Sequence, residues 1–489
     1  MQIEYLLLGD KSVENGRYLL AVFKIIPADG LTLEDVATEI AAESSTGTSI
    51  KVGSSTPFSV SNNAKVYEID EQNNLVWIAY PWEIFDSGGN IQNILTYIAG
   101  NIFGVSEVKA CKLLDVYFPP EMLCRYDGPN YTLDDMRGYL NVWDKPILGS
   151  IIKPKIGLTP TQYAELAYDF WVGGGHFVKN DEPQADQSFC PFKSMVDSVR
   201  IAMDRAEQIT GEGKVHSFNV SAPDYDTMIQ RADYVASVMK PGSYAYLIDG
   251  ITAGWMAVQT LRRHYPDTFL HFHRAGHGAF TREENPIGFS VEVLTKFARL
   301  AGASGIHTGT AGVGKMSGDS RTDITAAHQA LRLQSQGLYF NQVWSKISEK
   351  DTDISQLVEK EENRWKENIK DTLKERKELK RDFYFTSDTA RIVPKTTPII
   401  SGGLNPTLLA KFLDTMGTID FITTMGAGVH SHPKGTQAGA KAVLQAYDAW
   451  KEGIDIQEYA KDHEELALAI DFFEKNKTNT HKAKPLEDV

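Results

Sequence analysis

Between about residues 146 and 424, short β-branched runs alternate with amphipathic helical stretches, and that rhythm restricts the possible folds more than any other feature of the chain. Eight runs read as strands: residues 146–154, 176–181, 215–221, 244–249, 270–274, 305–308, 397–401 and 420–424. The intervening stretches, 161–171 and 289–300 among them, repeat apolar residues at three-to-four spacing, as a helix with one buried face does. Strands joined by crossover helices pair in parallel, so the pattern predicts an α/β fold whose main body is a closed (β/α)8 TIM barrel. A doubly wound open sheet is the alternative that the pattern leaves.

The first 135 residues follow another pattern, with strand-like runs at 18–26, 65–69 and 75–79 and helical ones at 33–43 and 91–102. This mixture predicts a small α+β domain. After the eighth run, 435–450 and 456–473 read as helices, followed by a polar tail over 475–489. The expected organisation is an N-terminal α+β domain (1–135), a barrel (136–440), and C-terminal helices with a polar tail (441–489). One segment breaks the rhythm. Residues 348–381 alternate Lys and Arg with Glu and Asp, while Ile354, Leu357, Val358, Trp365, Ile369, Leu373 and Leu379 share a helical face. This predicts a charged helix or hairpin inserted between strands six and seven, over about 346–394, whose apolar stripe leaves room for contact with another subunit.

Composition narrows the function. With 42% hydrophobic and 23% charged residues, the 489-residue chain has the balance of a water-soluble globular protein. No apolar run approaches the roughly 18 to 20 residues of a membrane span. The N-terminal residues lack the basic start and apolar core of a signal peptide, and Cys111, Cys124 and Cys190 form no CxxC pair, so a reducing cytoplasm is expected. A net charge of −14 argues against nucleic-acid and membrane partners; an anionic substrate would need a locally basic pocket.

Such a pocket is written at the strand ends, where barrels of this type gather their chemistry. Strand two carries Lys179, Asp181 and Glu182 after a glycine run (173–175). Alternation puts Lys179 and Asp181 on one face. Two carboxylates suit a hard cation such as Mg²⁺, but an ammonium beside that cation does not. Conversion of Lys179 to an anionic carbamate by CO₂ removes the conflict; a plain Lys–Asp salt bridge is the other reading. The first strand ends in Lys153 and Lys155, the fifth in His273 and Arg274 with His277 close behind, and the sixth in His307. Glycine-rich turns close the seventh (Ser401, Gly402, Gly403) and the eighth (Gly426, Ala427), the usual phosphate-binding corner. The loop 308–315 resembles a nucleotide P-loop only superficially, because Met316 follows Lys315 where Ser or Thr is required. It reads instead as a lid that carries a cation.

These motifs resemble those of ribulose-1,5-bisphosphate carboxylase/oxygenase (Rubisco) large subunits: 42–48 (AESSTGT), Gly100-Asn101, 153–158 (KPKIGL), 173–182, 271–274 (HFHR), 306–310 with Lys315, and 401–403. The resemblance runs from about residue 18 to 470, and KNDEPQ at 179–184 resembles the form II side. The charged insertion resembles the archaeal form II/III branch. The resemblance implies carboxylation of ribulose 1,5-bisphosphate to two 3-phosphoglycerates, with O₂ competing against CO₂. It implies Mg²⁺ held by carbamylated Lys179, Asp181 and Glu182, with Lys179, Lys153 and His273 in acid/base roles and Lys315 stabilising the incoming carboxylate. Arg274, His307 and Ser401 match one phosphate pocket. Thr48, Gly402, Gly403, Gly426 and Ala427 match the other, with Lys155 beside the reacting centre. Glu43, Thr48 and Asn101 match residues that complete the neighbouring subunit's site, which implies a homodimer or an oligomer of dimers.

Three residues depart from the family pattern: His176 and Ser317 in place of acidic residues, and Ala427 in place of glycine. His176 lies three positions before Lys179, so it is expected on the opposite strand face. A Rubisco-like enolase or isomerase acting on another phosphorylated sugar is the alternative activity. Such relatives usually lack several of Lys153, His273, Arg274 and Lys315, all present here. A non-catalytic assembly protein would have no use for the metal trio.

Overall fold

The computed structural model describes residues 4–15, 17–50, 52–123, 125–314, 320–331 and 393–476. Lys315, Ser317, Cys124 and nearly all of the expected insertion lie outside the described residues.

The N-terminal domain is a five-stranded mixed sheet of β1 (Tyr18–Pro27), β2 (Lys65–Asp70), β3 (Leu75–Pro81), β4 (Val108–Tyr117) and β10 (Ile287–Phe289) in the order β10-β4-β1-β3-β2. The helix Leu33–Glu43 covers it, its start fixed by a capping box between Thr32 and Asp35 that satisfies two exposed backbone N–H groups. The helix expected over 91–102 ends at Ile98; Gly100 leaves helical geometry and Asn101–Phe103 forms a separate 3-10 turn.

The barrel comprises β5 (Gly149–Ile151), β6 (Phe177–Lys179), β7 (Val215–Asn219), β8 (Tyr244–Asp249), β9 (Phe269–His273), β11 (Gly305–His307), β12 (Thr397–Ile400) and β13 (Ile422–Thr423). They lie side by side in chain order, and their mutual pairings are parallel. Thr423 N–H to Ile147 O (2.9 Å) and Met425 N–H to Gly149 O (3.0 Å) stitch the last strand to the first and close the cylinder. All eight expected strands are present, most shorter than their sequence pattern, because pairing stops where the chain turns into the loops. The open-sheet alternative is excluded by the closing bonds.

Alternation then builds the interior. Ile147, Phe177, Val215, Ala245, Phe269, Ile399 and Ile422 form one apolar layer, sealed from below by Leu133, Met136 and Leu140. Two residues further along the respective strands stand Lys179, Ser217, His271 and Ser401, and two beyond those come Asp181, Asn219 and His273. The apolar floor and the polar mouth are therefore one period-2 pattern read upward.

The two sheets are not independent bodies. Strand β10 leaves the barrel after β9 and adds to the N-terminal sheet, Ile287–Phe289 pairing in parallel with Cys111–Leu113. Phe289 is therefore a strand residue, and the helix expected from 289 begins at Val291. Every residue of that helix, Val291–Ala301, is buried. Its Lys296 ammonium pairs with Asp115 of β4, both almost wholly buried, and reaches Val116 O at 2.9 Å. Removing one partner of such a pair typically costs about 3–5 kcal/mol, because a buried charge is left alone. At the C-terminal end, the helix expected over 456–473 is broken into Ile456–Tyr459, a 3-10 turn and Glu464–Asn476. Among the described residues no helix is long and apolar enough to cross a membrane.

Candidate active site

Lys179 ends β6 with its side chain inside the barrel, fully buried, and its Nζ meets no hydrogen-bond partner among the described residues. Burial, opposed by Glu182, Asp181 and Asp249, lowers the amine from 10.5 to about 8. Asp181 is instead paired with Lys153, whose ammonium sits on its Oδ2. The simple Lys179–Asp181 salt bridge is thus not formed; the lysine that neutralises this carboxylate comes from the loop after β5. Burial by itself would raise the Asp181 carboxyl, but hydrogen bonding with Glu182 and the Lys153 ammonium bring it below the ordinary range. Burial and the Asp181 neighbour push Glu182 the other way.

Second-layer bonds hold these groups in place. Gln184 accepts from Asp181 N–H (3.0 Å) and donates to Lys155 O (2.7 Å), tying the loop after β6 to the loop after β5. Asn219 Nδ2 donates to Glu182 O at 2.6 Å. His273 lies between carboxylates, Nδ1 at 3.3 Å from Asp249 Oδ1 and Nε2 at 3.6 Å from Glu182 Oε2. Burial keeps its pKa below the usual histidine value despite those neighbours. Asp249 was not singled out from the sequence, although it ends an expected strand and alternation aims it inward.

On the far side of the mouth, His307 Nδ1 and Ser401 Oγ are 3.0 Å apart. Arg274 is buried with Nη1 unpartnered among the described residues, and burial lowers it to about 10. Its neighbour His277 bonds Thr281 Oγ1 at 2.6 Å and is held to about 3 by burial, with Arg274 and His273 adding to the shift. Gly402 and Gly403 take φ of 116° and 94°, a region open to glycine. A Cβ on Gly314, near the end of the expected lid, would come within 2.3 Å of Gly402 O, so that loop packs against the turn after β12. Ala427 stands exposed as the first residue of a short helix, where negative φ suits alanine as well as glycine.

Glu43 and Asn101 come together in the N-terminal domain, Asn101 Nδ2 donating to Glu43 Oε1 at 3.1 Å. Thr48 lies on the loop after the Leu33–Glu43 helix, its carbonyl accepting from Tyr5 OH at 2.7 Å. Among the described residues, none of the three bonds to the barrel mouth. His176 sits on the opposite face from Lys179, at the barrel floor, where its Nδ1 accepts from Leu148 N–H at 3.0 Å.

Whether the mouth suits a divalent cation can be judged from its donors. Among the described residues no group of three or more His, Cys, Asp and Glu is arranged for a metal ion. Two adjacent carboxylates beside a buried, unpartnered lysine amine do fit one, provided that the amine becomes the third anionic ligand.

Fold and site together define a (β/α)8 enzyme whose strand ends gather lysines, carboxylates and histidines at one mouth of the barrel. Comparison with known proteins names the family. The Ribulose bisphosphate carboxylase large chain catalytic domain matches residues 132–356 and 351–473, and its N-terminal domain matches 9–122. The chain belongs to the ribulose bisphosphate carboxylase large chain family. It is 39% identical over 475 residues to a ribulose bisphosphate carboxylase of Rhodopseudomonas palustris (strain HaA2), covering 94% of this chain and 92% of that one. Among solved structures it is similar to the dimeric archaeal Rubisco of Hyperthermus butylicus (TM-score 0.78, 35% identity, 96% and 98% of the two chains). It is also similar to the octameric Rubisco of Pyrococcus horikoshii OT3 (TM-score 0.79, 29% identity, 97% of each chain).

Proposed function

We propose that this chain is a CO₂-activated, Mg²⁺-dependent ribulose-1,5-bisphosphate carboxylase of the cytoplasm, with O₂ as competing co-substrate. The observation that carries the reading is the Lys179 amine, buried and unpartnered next to Asp181 and Glu182. An ammonium without a partner is costly there, so burial favours the neutral amine, the form that adds CO₂. The new N–C bond yields a carbamate and releases one proton. Lys179 so modified, Asp181 and Glu182 would hold Mg²⁺, which when bound supplies positive charge for the oxyanion of an enolised ketose.

The remaining roles fall to groups already in position. The Lys179 carbamate removes the first proton from the ketose, and Lys153, at the mouth, exchanges protons with the reacting carbons. His273, whose Nδ1 accepts from Ala275 N–H at 3.2 Å and whose ring lies between Asp249 and Glu182, moves a proton during hydration of the carboxylated ketone. Arg274, His307 and Ser401 take one phosphate. Gly402, Gly403, Gly426 and Ala427 offer backbone N–H groups to the other, with Thr48 from the neighbouring subunit. Lys315 closes over the site and stabilises the incoming carboxylate, and Lys155 stands beside the reacting centre. Glu43 and Asn101, already bonded to each other, complete the neighbour's site, so the working unit is a homodimer. Larger assemblies would be built from such dimers.

The test is direct. Protein preincubated with Mg²⁺ and bicarbonate should fix labelled CO₂ onto ribulose bisphosphate to give 3-phosphoglycerate, and Lys179→Ala should abolish it. Robust fixation by that variant would refute the assignment.

A further inference from the structure

Four side chains outside the metal trio form a line through the barrel interior. Ser217 Oγ is 3.2 Å from His271 Nδ1, His271 Nε2 is 2.9 Å from His307 Nε2, and His307 Nδ1 is 3.0 Å from Ser401 Oγ. The line crosses from β7 through β9 and β11 to the end of β12. Burial, with neighbouring histidines and Lys179 adding to it, holds both imidazoles well below the ordinary histidine pKa. Each ring is therefore neutral and carries one proton.

Proton counting leaves two arrangements. A single proton lies between the two Nε2 atoms, and whichever ring owns it must have a bare Nδ1. If His271 owns it, Ser217 O–H donates to His271 Nδ1 and His307 Nδ1–H donates to Ser401 Oγ. The Ser401 hydroxyl proton is then free. If His307 owns it, every bond reverses: Ser401 gives its proton to His307, and the Ser217 hydroxyl needs another acceptor. Ser217 is fully buried and bonds through its Oγ to His271 alone among the described residues. Ser401 is half-exposed at the mouth. A donor stranded in the interior is far costlier than one facing the cavity, so burial selects the first arrangement.

We infer that His271 is a positioning residue: it sets the tautomer of His307 so that the wire runs outward from Ser217 and Ser401 offers its hydroxyl proton to an oxygen of the bound bisphosphate. This rests on the proposed carboxylase reading for the identity of the ligand; the direction of the wire rests instead on the contact geometry, the neutrality of the two buried rings and the burial of Ser217. A serine held the other way would present only lone pairs to an anionic ligand and repel it.

Neutron diffraction from deuterium-exchanged crystals of the unactivated, full-length protein tests the direction. Deuterium on His271 Nε2 and His307 Nδ1, with His307 Nε2 bare, is expected; deuterium on His307 Nε2 overturns the proposal, whether or not the protein fixes CO₂. Kinetics test the consequence. His271→Phe keeps an aromatic ring but removes the donor, so KM for ribulose bisphosphate should rise about tenfold, the loss of roughly one hydrogen bond, while kcat changes much less. His271→Gln, whose amide can still donate to His307 Nε2, should restore KM to within about threefold of the parent. A KM unmoved in both variants, or a fall in kcat alone, overturns the positioning role. Should the parent fix no CO₂, the functional reading fails while the neutron map still decides the wire.

Discussion

Raising the pH from 7 to 9 perturbs one group on which activation depends, the Lys179 amine, and the expected profile can be worked out from its burial. Burial lowers this amine from the ordinary 10.5 to about 8, so the protonated form dominates below that value and the CO₂-reactive neutral form above it. The neutral fraction is then roughly a tenth at pH 7, about half at pH 8 and about nine-tenths at pH 9. An unshifted lysine would give roughly 0.03%, 0.3% and 3% at the same pH values. At constant dissolved CO₂ and Mg²⁺, the initial rate of activation should rise about fivefold from pH 7 to 8 and less than about twofold from 8 to 9. The assay samples the activating mixture at intervals, dilutes it into ribulose bisphosphate with labelled CO₂, and reads the growth of fixation rate. A rate that climbs about tenfold per pH unit through pH 9.5 would mean an ordinary, solvated lysine and would sink the argument from burial.

Asp181→Asn removes both an anionic ligand and the partner of Lys153, so fixation should fall by at least the roughly 100-fold that outer partners of metal sites can cost; activity within about tenfold of the parent would contradict its role. Glu292, buried where the barrel meets the N-terminal sheet, is pushed up from 4.5 to about 8 by burial with Asp115 adding to it. Its folded form keeps a proton that the unfolded chain has shed, so stability is lost as pH rises from about 4.5 to 8, amounting to roughly a few kcal/mol. Glu292→Gln should therefore raise the thermal midpoint more at pH 8 than at pH 5, and an equal change at both refutes the account. Arg299 donates to the carbonyls of Gln329 and Pro394, and Thr396 N–H reaches Ala330 O at 2.9 Å, so residues 329–330 and 394–396 lie side by side. Replacing residues 348–381 by a short Gly/Ser linker should leave a folded protein and, if that charged segment joins dimers, a smaller assembly by light scattering; an unchanged subunit number rejects the contact.

Much of this protein was legible in residue order because its two main signals are local. Eight β-branched runs separated by amphipathic stretches allow few arrangements, and a lysine two residues before an Asp-Glu pair at a strand end restricts the chemistry. Strand β10 was not legible: Ile-Gly-Phe is too short for periodicity, and its partner β4 lies more than a hundred residues away. The break after Ile98 and the breaks in the C-terminal helical stretch were equally hidden, since apolar spacing continues across them.

Order along the chain determined the barrel, the small domain ahead of it and the identities of the groups at the strand ends. Only the tertiary structure decided which of those groups touch. It paired Asp181 with Lys153 rather than Lys179, placed His273 between Asp249 and Glu182, and set two histidines from different strands back to back. The physical reason is that residue type and spacing dictate which way a side chain faces. Its burial, and with it its charge, depend on neighbours brought in from distant parts of the chain.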